Sequence, residues 1–304
     1  MTYISVFTPT YNRISLLKRL YKSLIKQTSL DFEWVVVDDA STDGTEAWFD
    51  SVVTYAPFHI DYKKVSHGGK HRAINTGVKL AKGDYFFIVD SDDYLPKTAI
   101  ETIYNWLNDV KDKDYLAGVS GIRIDSAGNV IGESPLVAND SFIECSNLER
   151  YRSHLNGDKA EIYRTNLLKR YPFPEFKDEY FVTERLIWDR IANDGFKIRW
   201  YNSPIYICEY QASGLTNSGA NSLRGNLNNY CGFLEYVKQS LSIMEPLEAV
   251  TVFRQYNYVA KYKKKTICQR AADIDYTIMH YLYFMVFKVP FYYLIRICRK
   301  VLKT

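Results

Sequence analysis

The 304-residue chain contains only five cysteines, and none of them stands in a C-x-x-C pair. Their number is odd and they are scattered along the sequence, which argues against a zinc knuckle or a disulfide framework. The N-terminal MTYISVFTPTYNR has neither a basic lead nor an apolar stretch of signal-peptide length. We therefore expect the chain to work in a reducing cytoplasm.

A large excess of either charge is also missing, since 39 Lys and Arg face 35 Asp and Glu. This near-balance gives no reason to expect a nucleic-acid partner. The charge is nevertheless segregated, because ten basic and two acidic residues lie between Lys261 and the end of the chain. That segment carries +8, and residues 1–260 carry −4. The overall composition is that of an ordinary globular protein, without internal repeats or low-complexity segments.

The first hundred residues alternate between strand patterns and helix patterns. Four short apolar runs are typical of strands: YISVFT, FEWVVVDD, HIDYKKV and DYFFIVD. Between them the sequence predicts three helices: ISLLKRLYKSLIKQ, STDGTEAWFDSVV and AINTGVKLAKG. Strands that alternate with helices favour a mostly parallel sheet with right-handed crossovers. Further on we predict a helix in KTAIETIYNWLNDV, a hairpin in YLAGVSGIRIDSAGNVIGES, a helix in FVTERLIWDRIAND and helices beyond Asn217.

Polar residues follow three of the predicted strands at the point where each strand ends. The first strand runs into Thr8, Pro9, Thr10, Tyr11, Asn12 and Arg13, the second into Asp38 and Asp39, and the fourth into Asp90, Asp92 and Asp93. In an open parallel sheet, ligands bind outside the carboxyl ends of the strands. These residues are therefore expected to meet at one edge.

The three acids between Asp90 and Asp93 repel one another and resist loss of water, so something must neutralise them. Residues two apart on an extended segment face the same way, which lets Asp90 and Asp92 face a cleft while Asp93 turns aside. Mg²⁺ or Mn²⁺ would suit such a site, because these ions take oxygen ligands and often complete their shell with substrate phosphates. The alternative is that these acids cap the helix after Pro96.

The pair Asp38 and Asp39 allows several interpretations. Acidic pairs after a buried strand also occur in receiver-type signalling domains and in phosphatases with an aspartyl nucleophile, and such acids can equally be solvated loop residues. A buried carboxylate can also accept a hydrogen bond from a nucleobase N–H, with Tyr11 stacked on the base.

Four segments resemble, in order and spacing, the inverting family 2 glycosyltransferases of the GT-A fold: SVFTPTYNR, VVVDDASTDGT, GGKHRAINTGVKLAKGDYFFIVDSDDYLP and YFVTERLIWDRI. The resemblance covers residues 1 to about 215. It implies an α/β fold of Rossmann-like type, a mostly parallel sheet flanked by helices, with a helical C-terminal extension. We expect a glycosyltransferase domain over 1–215, with a nucleotide-binding half (1–95) and an acceptor half (96–215), followed by an extension over 216–304.

The resemblance also implies roles for particular residues. Thr8, Pro9, Tyr11 and Asn12 match the family's nucleotide-binding loop, and Asp39 matches the aspartate that reads uracil. Gly69, Lys70 and Arg72 match a loop near the nucleotide phosphates; the alternative is a solvated basic helix start. Asp90, Asp92 and Asp93 match the D-x-D region, with Asp90 on the nucleotide-sugar side, Asp92 as the best metal ligand and Asp93 beside it.

The catalytic base implied by the resemblance departs from the family pattern. The family usually has the Asp of a Glu-Asp pair six residues before an Arg, and here Glu184 stands six residues before Arg190. Glu184 therefore takes the place of the expected Asp, and Thr183 takes that of the Glu. The alternative is a surface Glu paired with Arg185 or Arg190. Asp158, Lys159 and Glu161 are candidates on the acceptor side only.

The implied reaction is a single inverting transfer from a nucleotide-diphosphate sugar, with UDP as the expected nucleotide, assisted by Mn²⁺ or Mg²⁺. The acceptor would be a hydroxyl of a saccharide or lipid-linked saccharide in cell-surface polysaccharide synthesis. The Q-x-x-R-W signature of processive synthases is absent, which implies one sugar per encounter. The rival hypotheses are a metal-dependent nucleotidyltransferase, although FTPTYNR lacks its Gly-rich loop, and a non-catalytic membrane scaffold.

The tail between Tyr276 and Lys303 combines many aromatic residues with a basic end. Lys288 and Pro290 interrupt its apolar run, so a simple membrane span is not expected. Aromatic and basic residues together are typical of helices that lie in the membrane interface. We therefore predict peripheral contact of 276–304 with the inner face of the cell membrane. The alternative is a helix that packs on the catalytic domain or on a second copy in a homodimer.

Overall fold

A computed structural model describes residues 4–209 and 222–290, and these residues contain an eight-stranded sheet. The strand order is β3-β2-β1-β4-β7-β5-β8-β6. The strands are β1 (Ile4–Thr10), β2 (Phe32–Asp38), β3 (His59–Lys64), β4 (Tyr85–Ile88), β5 (Leu116–Asp125), β6 (Phe142–Cys145), β7 (Lys159–Arg164) and β8 (Lys197–Cys208). The predicted α/β class, a mostly parallel sheet flanked by helices, is confirmed.

The half of the sheet built by the first hundred residues is parallel throughout. Strands β3, β2, β1 and β4 pair in parallel, with Thr10 opposite Asp38 and Phe7 opposite Ile88. The helices between them are α1 (Ile14–Leu24), α2 (Thr45–Val52) and α3 (Lys70–Leu80). All seven residues of β2 are buried, as expected for a central strand covered on both faces. The carboxyl ends of β1, β2 and β4 therefore lie at one edge, as predicted.

The other half of the sheet is mixed. Strand β7 pairs antiparallel with both β4 and β5, β5 pairs in parallel with β8, and β6 pairs antiparallel with β8. The predicted hairpin is wrong in its return arm, because the turn after Asp125 leads only to a single bridge between Ile124 and Val130. The edges of β5 are instead taken by β7 and β8, whose pairing is not marked by any local turn.

The remaining helices of the described residues lie before, between and after the strands of this second half in sequence. They are α4 (Ala99–Val110), α5 (Thr165–Arg170), α6 (Arg185–Asn193), α7 (Leu223–Asn228), α8 (Tyr230–Ile243), α9 (Pro246–Tyr262), α10 (Ile267–Asp273) and α11 (Ile278–Tyr283), which a π-helical turn (Phe284–Lys288) continues. Helix α6 begins four residues later than predicted and ends at Asn193, two residues before Gly195, whose φ of 92° suits glycine. No helix within residues 4–209 and 222–290 is long and apolar enough to cross a membrane.

The chain divides into two compact units. The first consists of Met1–Glu175 with Ile187–Asn217, and the second of Phe176–Leu186 with Ser218–Thr304. The segment Phe176–Leu186, which the sequence analysis assigns to the first domain, thus groups with the C-terminal helices. The division into a transferase domain and an extension stays a prediction.

A buried lysine lies at the start of β7 in the first unit. The side chain of Lys159 is 1% exposed, and its Nζ donates to the carbonyl oxygen of Asn156 at 2.9 Å. Burial and the nearby charge of Arg150 lower the pKa of Lys159 to about 8, because both disfavour the ammonium form. In the unfolded chain the ordinary value of 10.5 returns. Between these two values the unfolded state binds more protons than the folded state.

Stability is therefore expected to rise with pH through this window. Relative to Lys159→Met, the wild-type free energy of unfolding should increase by about 2 kcal/mol between pH 7 and pH 9.5. Urea denaturation of both proteins at several pH values measures this difference, and the subtraction removes the titration of other groups. A difference that stays flat with pH would mean that Lys159 titrates normally in the folded protein.

Candidate active site at the carboxyl edge of the sheet

The loop after β1 is held by the loop after β2. Asn12 has a left-handed backbone with φ of 52°, a conformation that asparagine tolerates better than most residues. Its N–H donates to Ser41 Oγ at 2.8 Å, and its Oδ1 accepts from the N–H of Thr42 at 2.8 Å. The predicted nucleotide-binding residue Asn12 therefore fixes the shape of this loop. Thr8 lies deeper, where its hydroxyl accepts from Trp34 Nε1 in the core.

Pro9 sits within β1, although proline lacks the N–H that a ladder needs. The ladder between β1 and β4 ends at Phe7 and Ile88. On the side of β1 that faces β4, no ladder hydrogen bond therefore needs an N–H donor at Pro9. The strand continues to pair with β2 as far as Thr10. Proline is thus tolerated here because one neighbouring strand has already ended.

The two acids after β2 have different partners. Asp38 is fully buried; its Oδ1 accepts from Ser41 N–H at 2.7 Å and its Oδ2 from the Tyr62 hydroxyl at 2.6 Å. Asp39 accepts from the N–H groups of Gly68 and Gly69 at 2.6 and 2.9 Å. Asp38 therefore closes its own turn, whereas Asp39 holds the loop before α3 against the end of β2.

An aromatic stack covers Asp39. The rings of Tyr11 and His67 lie 4.6 Å apart at 25°, and His67 Nδ1 is 2.9 Å from Asp39 Oδ2. The Tyr11 side chain is about half exposed. A flat aromatic surface beside a carboxylate and glycine N–H groups is suited to a planar heterocycle with polar edges. His67 was not among the residues singled out from the sequence.

The start of α3 presents cations to this edge. Gly69 has φ of 89°, which favours glycine, and it leads directly into Lys70. Lys70 Nζ lies 2.6 Å from Asp90 Oδ1. Arg72 Nη1 donates to the carbonyl oxygen of Gly68 at 2.9 Å, and its Nε lies 3.4 Å from Glu175 Oε2. The predicted glycine, lysine and arginine are thus brought together with Asp39 and Asp90.

Cations of the chain itself neutralise two of the three clustered acids. Asp90 pairs with Lys70, and Asp92 Oδ2 lies 2.7 Å from Arg13 Nη1. Burial alone would raise the pKa of Asp90, but the positive charges of Lys70 and Arg123 outweigh it and hold that pKa below its ordinary value. Arg19 of α1 also donates to the carbonyl oxygen of Asp92. Asp90 is therefore kept ionised at the edge.

The third acid, Asp93, faces the other way. Its Oδ2 accepts from the Tyr206 hydroxyl at 2.8 Å and its Oδ1 from Glu209 N–H at 3.0 Å. The same hydroxyl accepts from the N–H of Asp90 at 2.9 Å. Burial and the charge of Asp90 raise the pKa of Asp93 to about 6. Tyr206 thus fastens both ends of the acidic turn to β8.

The predicted extended shape of this segment is wrong. Residues 90–93 form a turn in which Asp93 N–H donates to the carbonyl oxygen of Asp90 at 3.1 Å. The turn arises because β4 ends at Ile88, two residues earlier than the sequence pattern predicts. Asp93 nevertheless has hydrogen-bond partners, Tyr206 and Glu209, that differ from the ion-pair partners of Asp90 and Asp92.

The acids at this edge are candidate ligands for a divalent cation. Within residues 4–209 and 222–290, no three His, Cys, Asp or Glu side chains are grouped so that they could hold a metal ion. Asp93 uses both oxygens within the fold, which favours a structural role for it, and Asp92 remains the candidate ligand. One carboxylate fits Mg²⁺ or Mn²⁺ when a diphosphate and water supply the other oxygens.

Glu184 lies in the second unit, one residue before α6, and is half-buried. Its neighbour Arg185 lies 3.2 Å from Glu248 Oε1. In the predicted alternative, an ion pair between Glu184 and Arg185, Glu184 would therefore share Arg185 with Glu248. The role of Glu184 as a base stays a prediction.

The sequence analysis did not predict that several other residues contact the acids of this site. Arg13 was named at the end of the first strand without a role, and His67 lies two residues before Gly69, so the sequence positions of both were a usable signal. Tyr206 lies 113 residues after Asp93, and Arg123, whose guanidinium lies 4.2 Å from the Tyr206 ring centre, lies on β5. Only the pairing of distant strands brings these two residues to the turn.

Comparison with known proteins gives a match to one family model, described as Glycosyl transferase family 2, over residues 5–171. One similar protein is the poly(ribitol-phosphate) beta-N-acetylglucosaminyltransferase TarP of Staphylococcus aureus, 29% identical over 62% of this chain and 58% of that protein. Another is the GalNAc(5)-diNAcBac-PP-undecaprenol beta-1,3-glucosyltransferase of Campylobacter jejuni, 25% identical over 78% of this chain and 74% of that protein. The match to TarP thus spans less than two thirds of its length.

Solved structures share the fold. The TarS 1-349 fragment of Staphylococcus aureus in complex with UDP-GlcNAc superposes with a TM-score of 0.59 at 20% identity, over 90% of this chain and 88% of that one. The mannosyltransferase PcManGT of Pyrobaculum calidifontis, in complex with GDP-Man and Mn²⁺, gives 0.50 at 17% identity, over 96% and 73%. At these identities the likeness establishes the architecture.

We expect Tyr206→Phe to lower the free energy of unfolding by about 1–3 kcal/mol, because the buried Asp93 carboxylate and Asp90 N–H each lose a hydrogen-bond partner. Urea denaturation measures the loss. Tyr55→Phe, at a tyrosine that is 85% exposed, is the matched control and should stay within about 0.5 kcal/mol of wild type. Equal stability of the two variants would contradict the anchoring role of Tyr206.

Proposed function

The chain belongs to glycosyl transferase family 2, and on that premise we propose that it transfers a single sugar from a UDP-sugar to an acceptor hydroxyl with inversion at the anomeric carbon. The acceptor is a saccharide or lipid-linked saccharide of a cell-surface polysaccharide. The observation that carries the proposal is the meeting of Asp39, Lys70, Asp90 and Asp92 at the carboxyl edge of β1, β2 and β4. Similar proteins named for such transfers, TarP and the Campylobacter jejuni enzyme, support the acceptor class.

The donor is proposed to bind with its base on Tyr11. Stacking on an exposed ring and hydrogen bonds to the polar groups around Asp39 would hold a uracil. Lys70, Arg13 and Arg72 would face the diphosphate, because cations near glycine N–H groups are suited to phosphate oxygens. The structure of TarS with UDP-GlcNAc supports a UDP-sugar as the donor class to test first.

The chemical step is an in-line displacement. Glu184 takes the proton of the acceptor hydroxyl, the acceptor oxygen forms a bond to the anomeric carbon, and the bond from that carbon to the phosphate oxygen breaks. The electron pair leaves with the nucleoside diphosphate, whose charge Lys70 and Arg13 help to balance. A divalent cation held by Asp92 would add positive charge at the same diphosphate.

The second unit is proposed to contact the inner face of the cell membrane. Five apolar side chains of α11 and the π-helical turn share one exposed face, at spacings of three and four residues: Met279, Leu282, Tyr283, Val286 and Phe287. The opposite face is anchored by Tyr281, which is 1% exposed and donates to Asn257. Residues 291–304, with the last basic residues of the predicted tail, lie outside the described residues. An exposed apolar face beside a basic sequence favours anionic lipid.

The function is tested with labelled UDP-sugars, Mn²⁺ or Mg²⁺ and membrane lipids as the acceptor source. We expect Asp92→Asn to abolish transfer while the circular-dichroism spectrum is unchanged, and to weaken Mn²⁺ binding to the UDP complex measured by electron paramagnetic resonance. The control is Asp50→Asn, at an exposed acid of α2. Full activity of the Asp92 variant would refute the metal assignment, and transfer of a nucleotidyl group in place of a sugar would refute the function.

Glu184→Gln is expected to lower the turnover rate by about 10²-fold or more, the usual scale for loss of a general base. The affinity for UDP should stay the same, because the donor is bound by other residues. Glu184→Asp keeps the carboxylate and should recover part of the rate. A Gln variant as fast as wild type would place the base elsewhere, with Asp178 the next residue to change.

The membrane proposal predicts that Met279→Asp combined with Phe287→Asp stops sedimentation with anionic liposomes. Both residues are exposed, so the fold should tolerate the change, whereas a truncation at 276 would remove the buried Tyr281. Leu136→Asp, at an exposed leucine of the first unit, is the control and should leave sedimentation as in wild type. Unchanged liposome binding by the double variant, or its conversion from a dimer to a monomer, would favour protein packing over lipid.

A further inference from the structure

The imidazole of His67 makes the two contacts that the proposed function gives to a nucleobase. Its ring is stacked on Tyr11, with ring centres 4.6 Å apart and an angle of 25° between the planes. Its Nδ1 lies 2.9 Å from Asp39 Oδ2 and 3.3 Å from the carbonyl oxygen of the same residue. Both of these oxygens accept hydrogen bonds, so the nitrogen is the donor. The chain thus places a planar heterocycle of its own on Tyr11 and Asp39.

A uracil ring would need the same two groups. It offers a flat face for stacking and one ring N–H, at N3, for a carboxylate. Two rings whose centres are 4.6 Å apart leave no room between them for a third. A base on this face of Tyr11 and the imidazole of His67 therefore exclude each other.

The hydrogen-bonding capacity of Asp39 points to the same competition. The two oxygens of a carboxylate offer about four acceptor positions in total. The N–H of Gly68 uses one position at Oδ1, and the N–H of Gly69 and the imidazole of His67 use two at Oδ2. At Oδ2 a uracil N3–H would therefore have to take the place of the imidazole.

The imidazole can leave this place while the loop that carries it stays fixed. The N–H groups of Gly68 and Gly69, the two residues after His67, donate to Asp39 at 2.6 and 2.9 Å and hold the backbone. The side chain of His67 is 43% exposed, whereas that of Asp39 is 8% exposed. Rotation of an exposed side chain between rotamers is fast, on the picosecond to nanosecond scale. Opening of the site thus requires a side-chain rotation and no movement of the backbone.

We propose that His67 closes the base site of the donor-free protein and swings out when a uridine nucleotide binds. The identity of this place as a base site rests on the proposed function. A ligand that binds only the open form has its apparent affinity reduced in proportion to the open fraction. A site closed for about 70–90% of the time would therefore weaken the nucleotide about three- to tenfold. The penalty falls on the base and not on the diphosphate.

The first test measures UDP binding by isothermal titration calorimetry with Mg²⁺ present. We expect His67→Ala to bind UDP about three- to tenfold more tightly than wild type, because the open form no longer has a competitor. Inorganic pyrophosphate, which has no base, is the matched ligand and should bind both proteins equally. His59→Ala, at an exposed histidine of β3, is the matched variant and should bind UDP as wild type does.

Thermal unfolding of the ligand-free proteins separates this effect from a general change in stability. His67→Ala loses a stack and a hydrogen bond, so its melting temperature should be equal to or below that of wild type. Tighter UDP binding by a protein that is no more stable is the result expected for a competing side chain.

Proton NMR follows the imidazole directly in the wild-type protein. In the absence of ligand, nuclear Overhauser effects should connect the ring protons of His67 and Tyr11. Saturation with UDP should remove them, whereas saturation with pyrophosphate should leave them unchanged. This measurement decides the question even when the alanine variant does not fold.

The proposal is overturned if His67→Ala binds UDP as wild type does, or more weakly, since weaker binding would mean that His67 helps to hold the base. It is also overturned if the contacts between the His67 and Tyr11 rings persist in the UDP complex, or if none of the proteins binds UDP. Unchanged UDP affinity in His67→Ala, with sugar transfer intact, would refute this inference alone. Tighter UDP binding by His67→Ala, without transfer from any UDP-sugar, would refute the proposed transfer and leave the closing role of His67 standing.

Discussion

Neutralisation of three carboxylates within four residues is the constraint on which the rest of the first unit depends. Asp90, Asp92 and Asp93 cannot all be ionised and dehydrated at one strand end without compensation. The fold supplies a cation from α3 for Asp90, a cation from the loop after β1 for Asp92, and hydrogen bonds from β8 for Asp93. Three parts of the chain are thereby fixed to one turn.

This arrangement explains why both halves of the sheet matter to one edge. The parallel half carries the acids and the loop that Asp39 holds, while β8 from the mixed half carries Tyr206 to the back of the turn. Tyr94, which follows the turn, bridges to Ile207 of the same strand. The cations that pair with Asp90 and Asp92 and the hydroxyl group that holds Asp93 are therefore supplied by different parts of the chain.

The sequence allowed the parallel half of the fold to be predicted, because each strand and helix there has a strong local pattern and the order of elements implies the topology. Asp39, Asp90 and Asp92 could be named because strand ends converge by geometry, whereas Gly69 and Lys70 were named from the resemblance to a known family. The pairing of β7 between β4 and β5 could not be predicted, because its partner residues are 75 to 79 positions away on β4 and 37 to 45 positions away on β5, and no turn signal joins them. The role of Tyr206 was hidden with it, and the position of Glu184 depends on how Phe176–Leu186 joins the C-terminal helices.

The division of the chain between its two units has a consequence for how the protein is made. Because Phe176–Leu186 belongs to the second unit and is flanked by parts of the first, the chain passes between the units three times. During synthesis this segment leaves the ribosome before the helices that complete its unit. Until residues 231 and 232 follow, the Glu179 carboxylate lacks the N–H groups that it accepts from in the finished protein. The parallel half of the sheet can begin to form early, whereas the stretch that carries Glu184 acquires these contacts only after residues 231 and 232 have been synthesised.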